Sequence, residues 1–248
     1  RRGWLRARIH LGAALADLQQ GRVLEARARM RVGLEDAEVR GDPVFVGALR
    51  SGPLVLLHLA HDDAGSARAG VAAAMEPFRN RDYLLPNFTG GAADTLTDLY
   101  IGDAPGAWRR VERNGDHLVR SSLLTRRGVA VQADVIRARA ALAAASIQAR
   151  AASGDDVAAH LLQPPPTPTA TPTPPLPPAS VLLAEAAKLA RRLEKSRDEW
   201  VTALGSLVAA GDGRPSHPGQ QKEGNTGGHD PGTHQRPRGG RLGRQVHE

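Results

Sequence analysis

The 248-residue chain contains no cysteine. Disulfide staples and thiolate metal sites are therefore excluded, although the compartment stays open. Aromatics are nearly as scarce, with three Trp, two Tyr and three Phe making up 3% of the sequence. Stacking on nucleic-acid bases needs aromatics interleaved with cations, and so few supply no platform. That argues against a nucleic-acid partner despite the net charge of +7 and a pI near 10.8. Lysine occurs only as Lys188, Lys195 and Lys222, so the basicity is arginine set among abundant Ala, Gly and Pro. That mixture fits a bias of the whole chain as well as it fits a binding surface. Long hydrophobic runs are missing too. The longest is about "PLVLLHLA", far short of the roughly 20 residues that cross a bilayer, and no charged-then-apolar leader opens the chain. These absences give the expectation of a soluble, cytoplasmic protein with no membrane partner. The first residue is Arg1 rather than Met, which gives the further expectation of a piece of something longer.

What is present is alanine and helical periodicity. Hydrophobic residues reach 41%, but small side chains bury little area each, so thin layers of packed helices suit the composition better than one deep core. Four regions separate by composition. Residues 1–153 are helical in pattern. Residues 163–179, "QPPPTPTATPTPPLPPA", read as an extended Pro/Thr-rich linker. Residues 180–211 return to a helical pattern as a closing helix packed on the first region. Residues 212–248, rich in Gly, Pro, Gln and His, read as a disordered tail.

Within the first region the apolar spacing predicts helices ending near Gly21 and near Arg40, then pairs over 44–61 and 64–79 and over 83–101 and 104–117. Pro86, Gly90 and Gly91 predict a loop or a late start for the third pair. A long helix follows from Ser121 to Ser153, with Leu124, Val131, Val135, Ala138 and Leu142 on one face. The closing helix has Leu182, Leu189, Leu193, Trp200, Leu204 and Leu207 on one stripe.

One corner is written three times, about forty residues apart. "DLQQGRVLEARARM" (17–30), "HLAHDDAGSARAGV" (58–71) and "DLYIGDAPGAWRRV" (98–111) set Leu18, Leu59 and Leu99 in register. Gly21 then falls against Asp62 and Gly102, and Asp63 against Asp103. Ala26, Ala67 and Ala107 recur early in each second helix, where small residues let two axes approach. Helix pairs that reuse one corner are the mark of stacked repeats. The expectation is an all-α, tetratricopeptide-like α-solenoid of antiparallel helix pairs, with Leu18, Gly21, Ala26, Leu59, Asp63, Ala67, Leu99, Gly102, Asp103 and Ala107 as its structural corners.

Three strings in the same order, "GDPVFVGALRSGPLVLLHLAHDDAGSARAGVAAAME", "TLTDLYIGDAPGAWRRVE" and "SSLLTRRGVAVQADVIRARAALAAA", with "LLAEAAKLARRLEKSRDEWVTALGSLVAAG" after the linker, resemble a known region. It is the C-terminal helical region of large myxobacterial-type serine/threonine protein kinases. The resemblance spans residues 1–211 apart from the Pro/Thr insert, which is longer than the family pattern, and the tail after Asp212 has no counterpart. It implies a regulatory module that holds a protein or peptide partner, with ATP and Mg confined to an upstream kinase domain. An alternative is the helical-repeat sensor end of a signal-responsive ATPase or transcription regulator.

Chemistry is hard to find in the chain itself. Asp82 and Asn87 in "NRDYLLPN" have the five-residue spacing of a kinase catalytic loop, but Asn80 stands where that loop has His, and no lysine precedes Lys188. His58, His61 and Asp62 could face one ion on a helix, yet the aligned "IGD" turns the same way without histidine. His217, His229, His234 and His247 are spread through the tail, where weak adventitious metal binding is the most to expect. The expectation is therefore no catalytic, cofactor or metal site, with an independent all-helical enzyme built on His58, His61 and Asp62 as a third possibility.

Overall fold

The computed structural model describes residues 2–79, 82–153 and 175–211. These residues are helical throughout, with no strand among them. In chain order the α-helices are α1 (Arg2–Gln19), α2 (Val23–Val39), α3 (Pro43–Arg50), α4 (Pro53–Ala60), α5 (Ala64–Met75), α6 (Leu85–Tyr100), α7 (Ala104–Arg120), α8 (Arg127–Ser153), α9 (Ala179–Glu194) and α10 (Glu199–Gly211). Single 3₁₀ turns at Glu76–Phe78 and Ser122–Thr125 finish α5 and lead into α8. The tail 212–248 and most of the Pro/Thr stretch lie outside the described residues. The last part of that stretch, 175–178, is extended, and α9 begins at Ala179.

The corners are built by backbone chemistry that the sequence dictates. Gly21, Gly41, Asp62 and Gly102 all take positive φ, at 72°, 61°, 58° and 81°. Each ends a helix in the left-handed conformation that glycine adopts freely and aspartate tolerates. The next amide then reaches back five residues, as Arg22 N to Asp17 O (2.8 Å), Asp42 N to Ala37 O (3.0 Å), Asp63 N to His58 O (2.9 Å) and Asp103 N to Asp98 O (2.9 Å). Three of those residues cap the helix that follows: Asp42, Asp63 and Asp103 accept from the amides of Phe45, Ser66 and Gly106. The device therefore occurs four times. The "RGDP" at 40–43, which reads from sequence as a helix stop, is the fourth copy.

Several boundaries differ from the sequence expectation. The apolar stretch Pro43–Ala60 is long enough to suggest one helix, but it breaks at Ser51–Gly52 and Pro53 opens α4. A proline tolerates only the first turn of a helix, so the stretch becomes two eight-residue helices. For the same reason Pro86 does not delay α6, where it sits in the first turn. Gly90 and Gly91 stay inside α6 because Met75 and Asn114 pack where their side chains would be. The expected helix from Ser121 gives its first residues to the 3₁₀ turn. In α8 Ala138 of the expected stripe is fully buried, but Val131, Val135 and Leu142 are only half-buried, and Ile136, Ala140, Ala141, Ala144 and Ala145 take their place in the interior.

The closing helix is in fact two. Lys195–Asp198 turns the chain, and α10 buries Val201, Gly205 and Val208 against α9 while Trp200 and Leu207 stay exposed. Leu182, Leu189 and Leu193 of α9 are buried, and α9 lies against α8.

The interior is a chain of small clusters rather than one core. Phe45, Leu49 and Leu57 gather with Ala14, Ala26 and Met30 near the N-terminal end. Val55, Ala67 and Val71 form the next cluster. Trp108, Val111, Ile136 and Leu182 join α7, α8 and α9. Helices pack chiefly on those that follow them within one to three places. Fully buried alanines at most of these contacts let the axes approach closely.

Candidate functional site

The ten corner residues fall into three roles. Gly21 and Gly102 reverse the backbone, while Asp63 and Asp103 cap α5 and α7. Ala26, Ala67 and Ala107 are wholly buried at the start of the second helix of each pair. Leu59 is buried, whereas Leu18 and Leu99 are only half-buried on the cluster edges. None of them offers a reactive group. They hold the scaffold.

The same corners carry a polar pairing that sequence reasoning missed. Asp17 and Asp98, one residue before Leu18 and Leu99, are both buried. Asp17 accepts from Arg22 at 2.5 Å and from Arg29 at 2.9 Å. Asp98 accepts from Arg110 at 2.8 Å and from Arg68 of α5 at 2.6 Å. In each case an arginine twelve residues on folds back across the corner. The hydrogen bonds from Arg22 and Arg29 hold the Asp17 carboxyl below its ordinary value of 3.8. The signal was present as "DLxxG" with arginine at the twelfth place after the aspartate, but it becomes meaningful only once the corner is folded.

The residues examined for chemistry do not assemble a reactive site. His58 Nδ1 lies 3.9 Å from Asp63 Oδ2, His61 Nδ1 lies 2.8 Å from the Leu57 carbonyl, and Asp62 accepts from the Tyr100 hydroxyl at 2.8 Å. The two histidines serve their own turn, and Asp62 ties it to the end of α6. Asn87 sits inside the first turn of α6, not between helix pairs, and its Oδ1 accepts from the Leu84 amide at 2.9 Å. Asp82 is exposed before it. Among the described residues there is no group of three or more His, Asp or Glu that could hold a metal ion. His217, His229, His234 and His247 lie outside the described residues.

A concavity of about 620 Å³ lies between α7 and α9, lined also by residues of α6 and α8. Small residues open it: Ala92 on α6, Gly115 on α7 and Ala133 on α8 leave space that larger side chains would fill, while Asn114 packs over Gly91. The floor is apolar, with Phe88, Leu118, Ile136 and Leu189. Charged groups surround it. Arg137 Nε donates to Glu185 Oε1 at 2.8 Å, and its guanidinium lies 5.0 Å from the centre of the Trp108 ring. Arg192 Nε meets Asp134 Oδ2 at 2.7 Å, and Lys188 Nζ lies 3.6 Å from Glu185 Oε2.

Burial raises the Asp134 carboxyl in spite of Arg192. Burial also pushes Glu185 upward, but the hydrogen bond and charge of Arg137 outweigh it and hold that carboxyl below its ordinary value. The Thr95 hydroxyl donates to the Gly91 carbonyl at 2.8 Å. Asp134, Arg137, Glu185, Lys188 and Arg192 thus form ion pairs and Thr95 a helix hydrogen bond, with no nucleophile–base pair among them. The fold defines the class as an all-helical protein of tightly cornered helices, with a cleft whose apolar floor is rimmed by charged side chains. No family model, curated protein or solved structure matches the chain.

Proposed function

We propose that the chain is a non-catalytic protein-interaction module, a tetratricopeptide-like stack of helix pairs that holds a peptide segment of a partner in the α7–α9 cleft. The observation that carries this reading is the cleft itself, whose apolar floor lies beneath charged side chains between two successive helical units. Its volume falls in the range that buries a small ligand or a few peptide side chains. Helical stacks with such grooves bind extended or helical segments through apolar anchors and charged edges. On this reading the module is the regulatory C-terminal part of a cytoplasmic bacterial serine/threonine kinase, and ATP and Mg belong to the kinase domain upstream. Kinase motifs in the upstream reading frame would support that assignment. A Walker-type loop with a DNA-binding domain there would move it to a signal-responsive ATPase or transcription regulator.

The interaction reading is tested by selecting binders from a displayed peptide library on the full 248-residue chain and on its Ala133→Trp variant, which fills the cleft from α8. The expected result is a family of peptides that bind the natural chain and lose at least tenfold on the variant, with the variant's helical circular dichroism unchanged. A selection that yields no binder, or binders indifferent to Ala133→Trp, would overturn the reading.

A further inference from the structure

The cleft has two charged walls of opposite sign. On α7, Glu112 and Asp116 stand four apart on the exposed side and form no ion pair among the described residues. Arg113, the cation on that wall, is set about 100° round the helix from Glu112, so the wall carries two acids against one base. On the other side α8 and α9 bring Arg137, Lys188 and Arg192 against Asp134 and Glu185, which are already paired to them. One positive charge is left over there, and Lys188 and Arg192 are its exposed members, with 69% and 57% of their side chains in solvent. Apolar floor separates the walls, and Val119, 74% exposed, extends it at the rim of α7.

The walls also decide the backbone form of the occupant. All of them are α-helices whose amides and carbonyls are already bonded internally, so no strand edge is offered for an extended peptide to join. A polyproline segment needs a groove lined with aromatics, and Phe88 is the one aromatic lining this cleft. A helix laid in the groove needs neither.

We propose that the cleft takes an amphipathic helix of the partner, with its apolar stripe on the Phe88–Leu118–Ile136–Leu189 floor, a basic edge toward Glu112 and Asp116, and an acidic edge toward Lys188 and Arg192. This rests on the interaction reading above and specifies its ligand. Because a helix can lie in a groove in either direction, exchanging the two edges of a peptide is answered by reversing it. Specificity therefore shows as a preference for mixed edges over uniform ones, and it is altered from the protein side.

Three labelled synthetic helices with the same apolar i, i+3, i+4, i+7 stripe are titrated by fluorescence anisotropy into the full chain at about 0.1 M salt, where exposed charges are only partly screened. Their edges are one basic and one acidic, both acidic, or both basic. The mixed peptide should bind roughly fivefold to tenfold tighter than either uniform one, the effect of a few exposed ion pairs. In the double variant Glu112→Lys and Asp116→Lys both walls are basic, and the both-acidic peptide should become the tightest. The two positions are exposed, so folding should be retained, and circular dichroism melting checks this. An unchanged ranking in the double variant, or no preference for the mixed peptide on the natural chain, overturns the charge assignment. If library-selected peptides still depend on Ala133 in that case, the interaction reading survives without it. If no peptide binds in either experiment, both fail.

Discussion

At single residues, the recurring buried aspartates show how one chemical group can help or oppose folding according to its partners. Asp17 is held below 3.8 by hydrogen bonds from Arg22 and Arg29. A depressed acid stabilises the fold at pH above its ordinary value, and that contribution is lost as pH falls through the depressed one. Asp134 has the opposite sign, since burial raises it. Its ionised form opposes folding at neutral pH, and protonation relieves this as pH falls through the raised value. Asp17→Asn should therefore lower the urea midpoint at pH 7 and flatten the loss of stability below pH 4, so that the two curves converge in acid. Asp134→Asn should leave the midpoint at pH 7 unchanged or raise it. Urea titrations across pH 3–7 check both, and parallel curves for Asp17→Asn would contradict the account.

The corners were legible in the sequence because their signals are local. A residue suited to positive φ followed by a capping aspartate is readable within a few positions, even where Asp62 replaces glycine. The Asp–Arg pairs were not, because an arginine twelve places away meets the aspartate only after the chain has turned.

Between elements, the closeness of helix axes is set by what has no side chain. A Cβ on Gly205 would come within 2.8 Å of the Glu194 amide nitrogen and 2.9 Å of the Ala190 carbonyl oxygen, both in the backbone of α9. A Cβ on Gly90 would instead meet the side chain of Met75, which is free to swing aside. Gly205→Ala should cost about 1–3 kcal/mol by lifting α10 from α9, and Gly90→Ala distinctly less, as read from thermal or urea unfolding. Equal costs would show that the α9–α10 contact is looser than described.

The split of the closing helix sets a second contrast. Leu193 is 2% exposed and Trp200 is 59% exposed. Leu193→Asp should cost several kcal/mol by burying an unpaired charge, while Trp200→Asp should stay within about 1 kcal/mol. Sequence periodicity failed here because Leu193 and Trp200 lie seven apart, so the helical spacing runs on across the turn at Lys195–Asp198 by coincidence. Periodicity also failed at Ser51–Gly52, where only two residues separate two short apolar helices.

For the molecule as a whole, an alanine-rich chain builds its interior from linked small clusters, and a gap opens where glycine and alanine from three helices coincide. That gap had no signature in the sequence. It is made by what Ala92, Gly115 and Ala133 lack, and these residues come together only through the packing of α6, α7 and α8. Its charged walls were equally hidden, because Asp134–Arg192 and Arg137–Glu185 join residues 58 and 48 positions apart. The helical class and the corners could thus be read from local pattern, whereas the site is a product of assembly. The most direct measurement is an amide-resolved NMR titration of the full chain with a library-selected peptide. The account predicts that the largest shifts cluster at Gly91, Gly115, Ala133 and Lys188, around the α7–α9 cleft. Shifts centred instead on α1 and α2, or on the exposed Trp200 and Leu207 of α10, would contradict it.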